Sequence, residues 1–300
     1  MKKNFVELTS ISEAHQVFRY DKPKHPLISL VDLTTINPDV TEAETCYQMS
    51  FYTISCKRFD GVMRYGKSHY DFNEGTLMFT APHQAISASH DREMKEGWGL
   101  FFHPDLINGT ALAKKINGYS FFAYEANEAL HISEDEQLIL QDCIQKIKRE
   151  YSQNIDKHTQ GLIVSNIELL LNYCDRFYDR QFLTRSTANK DIVQRFEQLL
   201  NGYFAQEELI DAGLPDVKFF AAHLNVSPNY LSDLLSRFTG KSTQEHIHLK
   251  LVDTAKSLLW GTEKSISEIA YALGFDYPSH FTKVFKTKTG LTPQQYRNTN

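Results

Sequence analysis

The feature that most constrains this 300-residue chain is an internal duplication near its end, at a spacing of 49 to 50 residues. Apolar residues at positions i, i+3, i+4 and i+7 indicate a short amphipathic helix that begins at Val217, and the same pattern begins again at Ile266. A tight break follows each helix, at residues 225–228 in the first copy and 274–278 in the second. The repeated sequence of helix, turn and helix predicts two helix-turn-helix units.

A second amphipathic helix follows each break and ends before a glycine, Gly240 in the first copy and Gly290 in the second. The segment from Ser242 to Trp260 has an apolar stripe of its own, which predicts one helix that bridges the two units. At 1.5 Å per residue this bridging helix would span roughly 28 Å. Two recognition helices at that separation suit successive major grooves of DNA, whose repeat is about 34 Å.

Charge is distributed unevenly, although the net charge of −5 would by itself argue against a nucleic-acid partner. Residues 1–189 carry 20 basic and 25 acidic side chains, whereas residues 217–300 carry 10 basic and 6 acidic side chains. Surface charges are screened beyond about 8 Å at physiological salt, so a phosphate near the repeat would meet mainly the local positive excess. The net charge therefore does not exclude DNA binding by the C-terminal part.

The first third of the chain has the residue pattern of β-strands. Aromatic and β-branched residues fill 46–56, and the pair Asp60 and Gly61 after this run is a strong hairpin signal. Further short strands are expected at 76–80, 85–89 and 98–102. Many short strands at close spacing predict a small barrel or sandwich over about 20–105.

From Ser133 the apolar period changes to that of a helix, with Ser133 as N-cap and Glu136 three residues later. Two helices are expected, and their apolar stripes are Leu140, Ile144, Ile147 and Tyr151, then Ile163, Ile167, Leu170, Cys174 and Phe177. The second stripe is long enough either to seal the β-domain or to pair with a second copy of the chain. Residues 183–190 lack an apolar period and are interpreted as a linker.

Targeting and redox signals are sparse. No apolar run approaches the ~18 residues needed to cross a bilayer, and no hydrophobic stretch follows the two lysines at the start. A cytoplasmic protein without a membrane partner is expected. The cysteines Cys46, Cys56, Cys143 and Cys174 form no C-x-x-C pair, so reduced and buried thiols are expected rather than disulfides or structural zinc.

Ordered motifs run through the repeat. They lie at 214–235, 240–242, 255–259, 266–275, 281–286, 290–293 and 296–297, and one of them reads Ile266-Ser-Glu-Ile-Ala-Tyr-Ala-Leu-Gly-Phe275. Together these segments resemble the DNA-binding domain of AraC/XylS-type transcription regulators over about residues 190–298.

This resemblance, with the sequence pattern, implies an α+β chain in four parts. Residues 1–132 would form a cupin-like effector-binding domain of barrel or sandwich type, and 133–182 a helical hairpin for packing or dimerisation. A linker at 183–190 would lead to the DNA-binding domain, an all-α domain at 191–300. The implied partners are double-stranded DNA, a small-molecule effector, a second copy in a homodimer and RNA polymerase, and no cofactor is expected.

The resemblance also assigns DNA-facing residues. On the first recognition helix they are Asn229, Ser232 and Asp233, with Ser236 and Arg237 toward the DNA backbone. On the second, Ser279, His280 and Lys283 would face base edges, while Thr282 and Lys286 would approach phosphates. Asp233 and Leu251 stand where relatives often carry arginine, so the preferred DNA sequence does not follow from the family.

Two other function classes fit parts of the sequence. A metal-dependent cupin enzyme would need two or three histidines and a carboxylate on one face. The histidines of the β-region are His69, His83, His90 and His103, without an H-x-H pair. The one such pair, His246 and His248, lies on a predicted helix where the rings point apart. We therefore expect no metal and no catalytic residues. The other class treats the paired helices as a protein-docking surface.

Aromatic residues of the β-domain are candidates for the lining of an effector cavity, because such cavities are mostly apolar. They are Tyr52, Tyr65, Tyr70, Phe79, Trp98 and Phe101. The plainer interpretation is that these side chains form the core.

Overall fold

The computed structural model describes residues 4–35, 45–59, 72, 74–87, 94–205 and 213–299. The chain divides into two compact units, Met1–Arg185 and Ser186–Asn300. This division falls within 183–190, the segment interpreted as a linker. The segment is nevertheless helical, because one helix ends at Thr184 and the next begins at Ser186. In the described part of the chain, no helix has the combined length and apolar character that a membrane crossing requires.

Eight strands are described in the first unit, and they form two open sheets. The strands are β1 (Asn4–Leu8), β2 (Ile28–Asp32), β3 (Thr45–Met49), β4 (Tyr52–Phe59), β5 (Gly75–Thr80), β6 (Ala85–Ser87), β7 (Met94–Phe102) and β8 (Leu130–Ile132). The smaller sheet has the order β1-β3-β6 and the larger the order β2-β7-β4-β5-β8. The α+β class is confirmed, but the described strands do not close into a cupin-like barrel.

The strand pairing corrects the expected β-domain in two respects. The run 46–56 forms two strands in different sheets, since β3 pairs with β1 and β6 while β4 pairs with β5 and β7. Strands also lie outside 20–105, namely β1 and β8. The strands expected at 76–80 and 98–102 are present within β5 and β7, and β6 is described as far as Ser87. The predicted hairpin at Asp60 and Gly61 lies outside the described residues.

Helices of the first unit are α1 (Ile11–Phe18), α2 (Pro104–Ile107), α3 (Ala111–Lys115), α4 (Glu134–Tyr151) and α5 (Thr159–Thr184). The Ser133 hydroxyl caps α4 by accepting from the Glu136 amide, and the Glu136 carboxylate accepts from the Ser133 amide. The α4 and α5 helices pack on each other, and they also contact β2 and β8. Both predicted apolar stripes are thus buried in the chain's own unit, apart from the half-buried Tyr151.

Polar contacts fasten the end of α5 to its neighbours. The guanidinium of Arg180 donates to both carboxylate oxygens of Glu136, at 3.0 and 2.6 Å, and to the His131 carbonyl at 2.6 Å. The Gln181 side chain accepts from the His131 amide at 2.7 Å and donates to the Ala129 carbonyl at 3.0 Å. Because these partners lie on α4 and at β8, the hairpin and the sheet form one framework.

All four cysteines are free thiols. Cys56, Cys143 and Cys174 are buried, whereas Cys46 is half-buried. Burial raises the pKa of the Cys56 thiol to about 12 and raises the pKa values of Cys143 and Cys174 as well. The three buried thiols are therefore held in their protonated form at neutral pH.

The described residues of the second unit are helical apart from short connections. The helices are α6 (Ser186–Phe204), α7 (Val217–Leu224), α8 (Pro228–Thr239), α9 (Thr243–Gly261), α10 (Ile266–Ala272), α11 (Pro278–Thr289) and α12 (Pro293–Arg297). One apolar core runs through the unit and includes Phe196, Phe220, Leu251, Ile269 and Phe281. The α7–α8 and α10–α11 pairs correspond to the duplicated pattern, and α9 corresponds to the predicted bridging helix.

Candidate DNA-binding surface

Each pair of helices is joined by a turn with a left-handed residue. Asn225 (φ 57°) ends α7, and the Ser227 hydroxyl caps α8 by accepting from the Tyr230 amide at 3.2 Å. Between α10 and α11 the left-handed residue is Gly274 (φ 81°), and Pro278 begins the next helix. These residue types suit the end of one helix and the start of another. The turns thus place α8 and α11 as the second helices of two helix-turn-helix units.

Both second helices bury one face and expose the other. The buried residues are Tyr230, Leu231, Leu234 and Leu235 on α8, and Phe281 and Phe285 on α11. Successive helix positions are about 100° apart, so the residues between these buried positions point toward the opposite face. This opposite face carries the residues that the sequence assigns to DNA.

On α8 the predicted residues differ in accessibility. Asn229, Ser236 and Arg237 are exposed, whereas Ser232 and Asp233 are half-buried. The Ser232 hydroxyl lies 3.2 Å from the Thr243 hydroxyl at the start of α9, within hydrogen-bond distance. Ser232 therefore helps to join α8 to the bridging helix.

On α11 four of the five predicted residues are exposed, namely Ser279, His280, Lys283 and Lys286. Thr282 is half-buried, and its hydroxyl donates to the Pro278 carbonyl at 3.0 Å. Since that hydrogen is used within the helix, the Thr282 oxygen is left as an acceptor rather than a donor. The α11 helix contains lysines but neither aspartate nor glutamate, so its exposed face is positive.

Two further residues at this surface were not assigned from the sequence. Lys288 is exposed in the last turn of α11. Tyr277, at the N-cap of α11, is 71% exposed. The sequence did contain a signal for Lys288, because it follows Lys283 and Lys286 closely and cations are favoured near a helix C-terminus. For Tyr277 the sequence offered no signal, since tyrosine is intermediate in burial and its residue type does not distinguish an exposed ring from a buried one.

The bridging helix α9 starts with a capping box, in which the Ser242 and Glu245 side chains each accept from the other residue's amide. With 19 residues it spans roughly 28 Å at 1.5 Å per residue. Leu251 is fully buried in the core. In this chain the Leu251 side chain therefore contributes to the apolar core of the domain. The neighbouring Lys250 is half-buried.

The histidine pair on α9 has separate partners. The His246 Nε2 lies 2.7 Å from the Thr239 hydroxyl, and the His248 Nε2 lies 2.9 Å from the Gln244 side chain. Burial lowers the pKa of both histidines, and nearby Lys241 lowers the pKa of His246 further. Each imidazole is thus part of a local hydrogen bond, and the two do not share a ligand position.

Among the residues that the structure describes, no three histidine, cysteine, aspartate or glutamate side chains are grouped as metal ligands. His103 caps α2, and its Nδ1 accepts from the Asp105 amide at 3.2 Å. His83 has a left-handed backbone (φ 64°). His69 and His90, the other candidates from the β-region, lie outside the described residues.

Most of the aromatic candidates that are described are packed into cores. Tyr52 stacks on Phe102 at a centroid distance of 5.0 Å, and Phe79 contacts Phe121 at 4.5 Å. Phe101 is buried in the cluster that contains Leu8 and Val31. For these three residues the structure favours the plainer interpretation, while Tyr65 and Tyr70 lie outside the described residues.

Trp98 has a different environment. It lines an open cavity of about 300 Å³, together with Asp32, Thr34, Cys56, Arg58, Glu96, Gly97, Gln137 and Gln141. In the larger sheet Arg58 pairs with Glu96, and their side chains lie 3.9 Å apart. The cavity thus combines an indole with charged and amide groups from the sheet and α4.

Comparison with known proteins supports the reading of the second unit. A family model described as a helix-turn-helix domain matches residues 220–299. The regulatory protein PocR of Salmonella typhimurium is 36% identical over 91 residues, which are 29% of this chain and 30% of PocR. The HTH-type transcriptional regulator YobQ of Bacillus subtilis is 35% identical over 163 residues, or 50% of this chain and 64% of YobQ.

Among solved structures, the C-terminal domain of AraT, a response regulator from Geobacillus stearothermophilus, is similar at 34% identity. The match covers 36% of this chain and 85% of the AraT domain, with a TM-score of 0.32. The chain spans less than two thirds of the length of PocR and YobQ.

Two helix-turn-helix units joined by one long helix define a double helix-turn-helix domain. Over residues 220–299 the chain is similar to the helix-turn-helix domains of transcription regulators, in agreement with the resemblance to AraC/XylS-type regulators.

Proposed function

We propose that the chain is a sequence-specific DNA-binding regulator of transcription. The observation that carries the proposal is that α8 and α11 bury their apolar faces in one core and leave polar and basic faces in solvent. The proposed interface contains Asn229, Ser232, Asp233, Ser236 and Arg237 on α8, and Ser279, His280, Thr282, Lys283 and Lys286 on α11.

The two helices would divide the work of recognition. Lys286 of α11 would contact phosphates, which supplies affinity and register but little sequence information. Asn229, His280 and Lys283 are exposed side chains that hydrogen-bond, so they are the proposed readers of base edges. The roughly 28 Å length of α9 supports contact with successive major grooves of one DNA duplex.

We further propose that the chain forms a homodimer through the outward face of α5. Leu162, Leu169 and Leu183 are 48%, 38% and 75% exposed, at intervals of seven and fourteen residues. Such a repeat keeps the leucines on one side of a long helix, as an intermolecular helix pair requires. This face differs from the stripe predicted from sequence, which is buried within the unit.

The cavity beside Trp98 is the proposed effector site. Arg58 would pair with an anionic group of the ligand, while Asp32, Glu96 and the two glutamines suit amines or hydroxyls. We therefore propose a small polar effector, with Trp98 as the apolar wall. RNA polymerase is the partner through which such a regulator would act on transcription.

The DNA-binding proposal is tested by selection of the full chain against random-sequence duplexes, followed by fluorescence anisotropy with the selected DNA and with a scrambled duplex. We expect enrichment of a common sequence, and a dissociation constant at least about 10³-fold lower for that sequence than for scrambled DNA. Equal affinity for both duplexes would contradict sequence-specific binding.

A further inference from the structure

The turn of the second helix-turn-helix unit lies directly against the segment that precedes the first unit. An ideal Cβ placed on Gly274 would lie 2.6 Å from the carbonyl carbon and 2.7 Å from the carbonyl oxygen of Gly213. Real side chains do not approach backbone this closely. The peptide group of Gly213 therefore occupies the space that a side chain at position 274 would need.

The same peptide group also accepts a hydrogen bond from α6. The Tyr203 hydroxyl, on α6, donates to the Gly213 carbonyl at 3.0 Å. The Tyr203 ring is buried, and it packs edge-on against Phe219 of α7 at a centroid distance of 5.1 Å. Burial raises the pKa of Tyr203, so its hydroxyl keeps its proton and remains a donor.

These contacts complete a closed arrangement within the second unit. The first connection between the two helix-turn-helix units is α9, which packs against α8 as well as α10 and α11. The second is the contact of Gly213 with Gly274, because Gly213 is tied to α6 and lies four residues before α7. A single helix sets a distance between two attached bodies, whereas a second contact away from that helix also restricts their angle.

We propose that the contact between Gly213 and Gly274, held by the Tyr203 hydroxyl, positions the two recognition helices relative to each other and so selects the spacing of the two half-sites in DNA. The inference rests on the proposed DNA-binding function. Tyr203, Gly213 and Gly274 are positioning residues that need not touch DNA. They affect binding because two helix-turn-helix units on one chain gain affinity from each other only when the geometry lets both bind DNA at the same time.

The test uses the full chain and a duplex that the wild-type protein selects from random sequence. Three kinds of DNA are compared by anisotropy: the selected duplex, the same duplex with one half-site scrambled, and two duplexes with one base pair added or removed between the half-sites. We expect Gly274→Ala to bind the selected duplex about tenfold more weakly and the one-half-site duplex within about twofold of wild type. We also expect a weaker preference for the native spacing.

A matched control separates the clash of a Cβ at position 274 with Gly213 from the strain of placing alanine in a left-handed backbone conformation. Gly290 has φ 80°, close to the 81° of Gly274, but no heavy atom lies within 4 Å of its ideal Cβ position. Gly290→Ala therefore carries the same backbone strain without the clash, and it should retain the spacing preference. If the two alanine variants behave alike on all three kinds of DNA, the inference is wrong.

A second variant keeps the test decisive if Gly274→Ala fails to fold. Tyr203→Phe removes the hydroxyl that donates to Gly213, with Tyr271→Phe, on the exposed face of α10, as control. We expect Tyr203→Phe to loosen the spacing preference without loss of one-half-site affinity. A uniform loss on all DNAs would show a merely structural role. If the wild-type chain selects no sequence, it is the proposed function that fails.

Discussion

At the scale of single residues, exposure separates the DNA-facing candidates into two groups. Lys283 and Lys286 are among the exposed residues, whereas Thr282 and Ser232 are half-buried; the Thr282 hydroxyl donates within its own helix and Ser232 contacts the start of α9. The helical period in the sequence was sufficient to find the accessible face. The partners of the two half-buried hydroxyls depend on side-chain contacts that a periodic pattern does not encode.

The lysines of α11 give the first prediction. Lys283→Ala combined with Lys286→Ala should weaken binding to the selected DNA, and the slope of log affinity against log salt should become shallower by about 0.9 for each lost phosphate contact. Anisotropy titrations at several salt concentrations measure both quantities. The control is Lys114→Ala with Lys157→Ala, which removes the same charge from exposed sites of the first unit. An unchanged slope in the α11 variant would contradict its phosphate role.

His246 gives a prediction about pH. Burial and Lys241 lower its pKa below 6.5 in the folded chain, although Glu197 and Glu245 oppose this shift. As the pH falls through 6.5, the unfolded chain therefore takes up a proton that the folded chain does not. The free energy of unfolding of the second unit should fall between about pH 7.5 and about pH 5.5.

Urea unfolding of the Trp98→Phe variant, followed by Trp260 fluorescence, measures this dependence. His246→Gln should reduce its slope, with the remainder due to His248, whose pKa burial also lowers, whereas His158→Gln, at an exposed histidine of the first unit, should leave it unchanged. The same slope in His246→Gln and wild type would show that another group is responsible.

At the scale of helices and strands, prediction succeeded where the pattern was local. The capping pair at Ser133 and the apolar periods of α4 and α5 identified the hairpin. The run 46–56 was harder, because the sheet to which a strand belongs is decided by distant partners such as β1. Residues 183–190 show the limit of apolar period as a signal, since polar residues there continue in helical conformation.

The exposed leucines on the outward face of α5 give a prediction about self-association. Leu162→Lys combined with Leu169→Lys should shift the chain from dimer to monomer, because two charges would have to be desolvated in the helix pair. Sedimentation equilibrium measures the shift. Ile155→Lys, at another exposed apolar residue of the same unit, is the control and should leave the mass unchanged. A dimer that survives the double substitution would place the interface elsewhere.

At the scale of the whole molecule, the two compact units allow separate observation, because each contains one of the two tryptophans. Trp260→Phe leaves Trp98 as a reporter of the first unit, and Trp98→Phe leaves Trp260 as a reporter of the second. Selected DNA at about 100 times its dissociation constant should stabilise the second unit by about 2.7 kcal/mol. The rise in Tm should therefore appear in the Trp260 signal.

A polar effector that binds beside Trp98 should instead raise the transition reported by Trp98, and Arg58→Ala should remove that rise. Thermal unfolding of the two single-tryptophan variants, with each ligand in turn, measures both effects. A compound that shifts only the Trp260 transition would contradict the proposed effector site.

The buried thiols have a practical consequence for measuring the angle between the recognition helices. Because Cys56, Cys143 and Cys174 are interior and resist ionisation, maleimide reagents should leave them unmodified in the native chain. Replacement of Cys46 alone would then give a background in which engineered cysteines at Ser236 and Lys286 accept spin labels. Interlabel distances by pulsed electron resonance would report the geometry of both helices in the DNA-free chain.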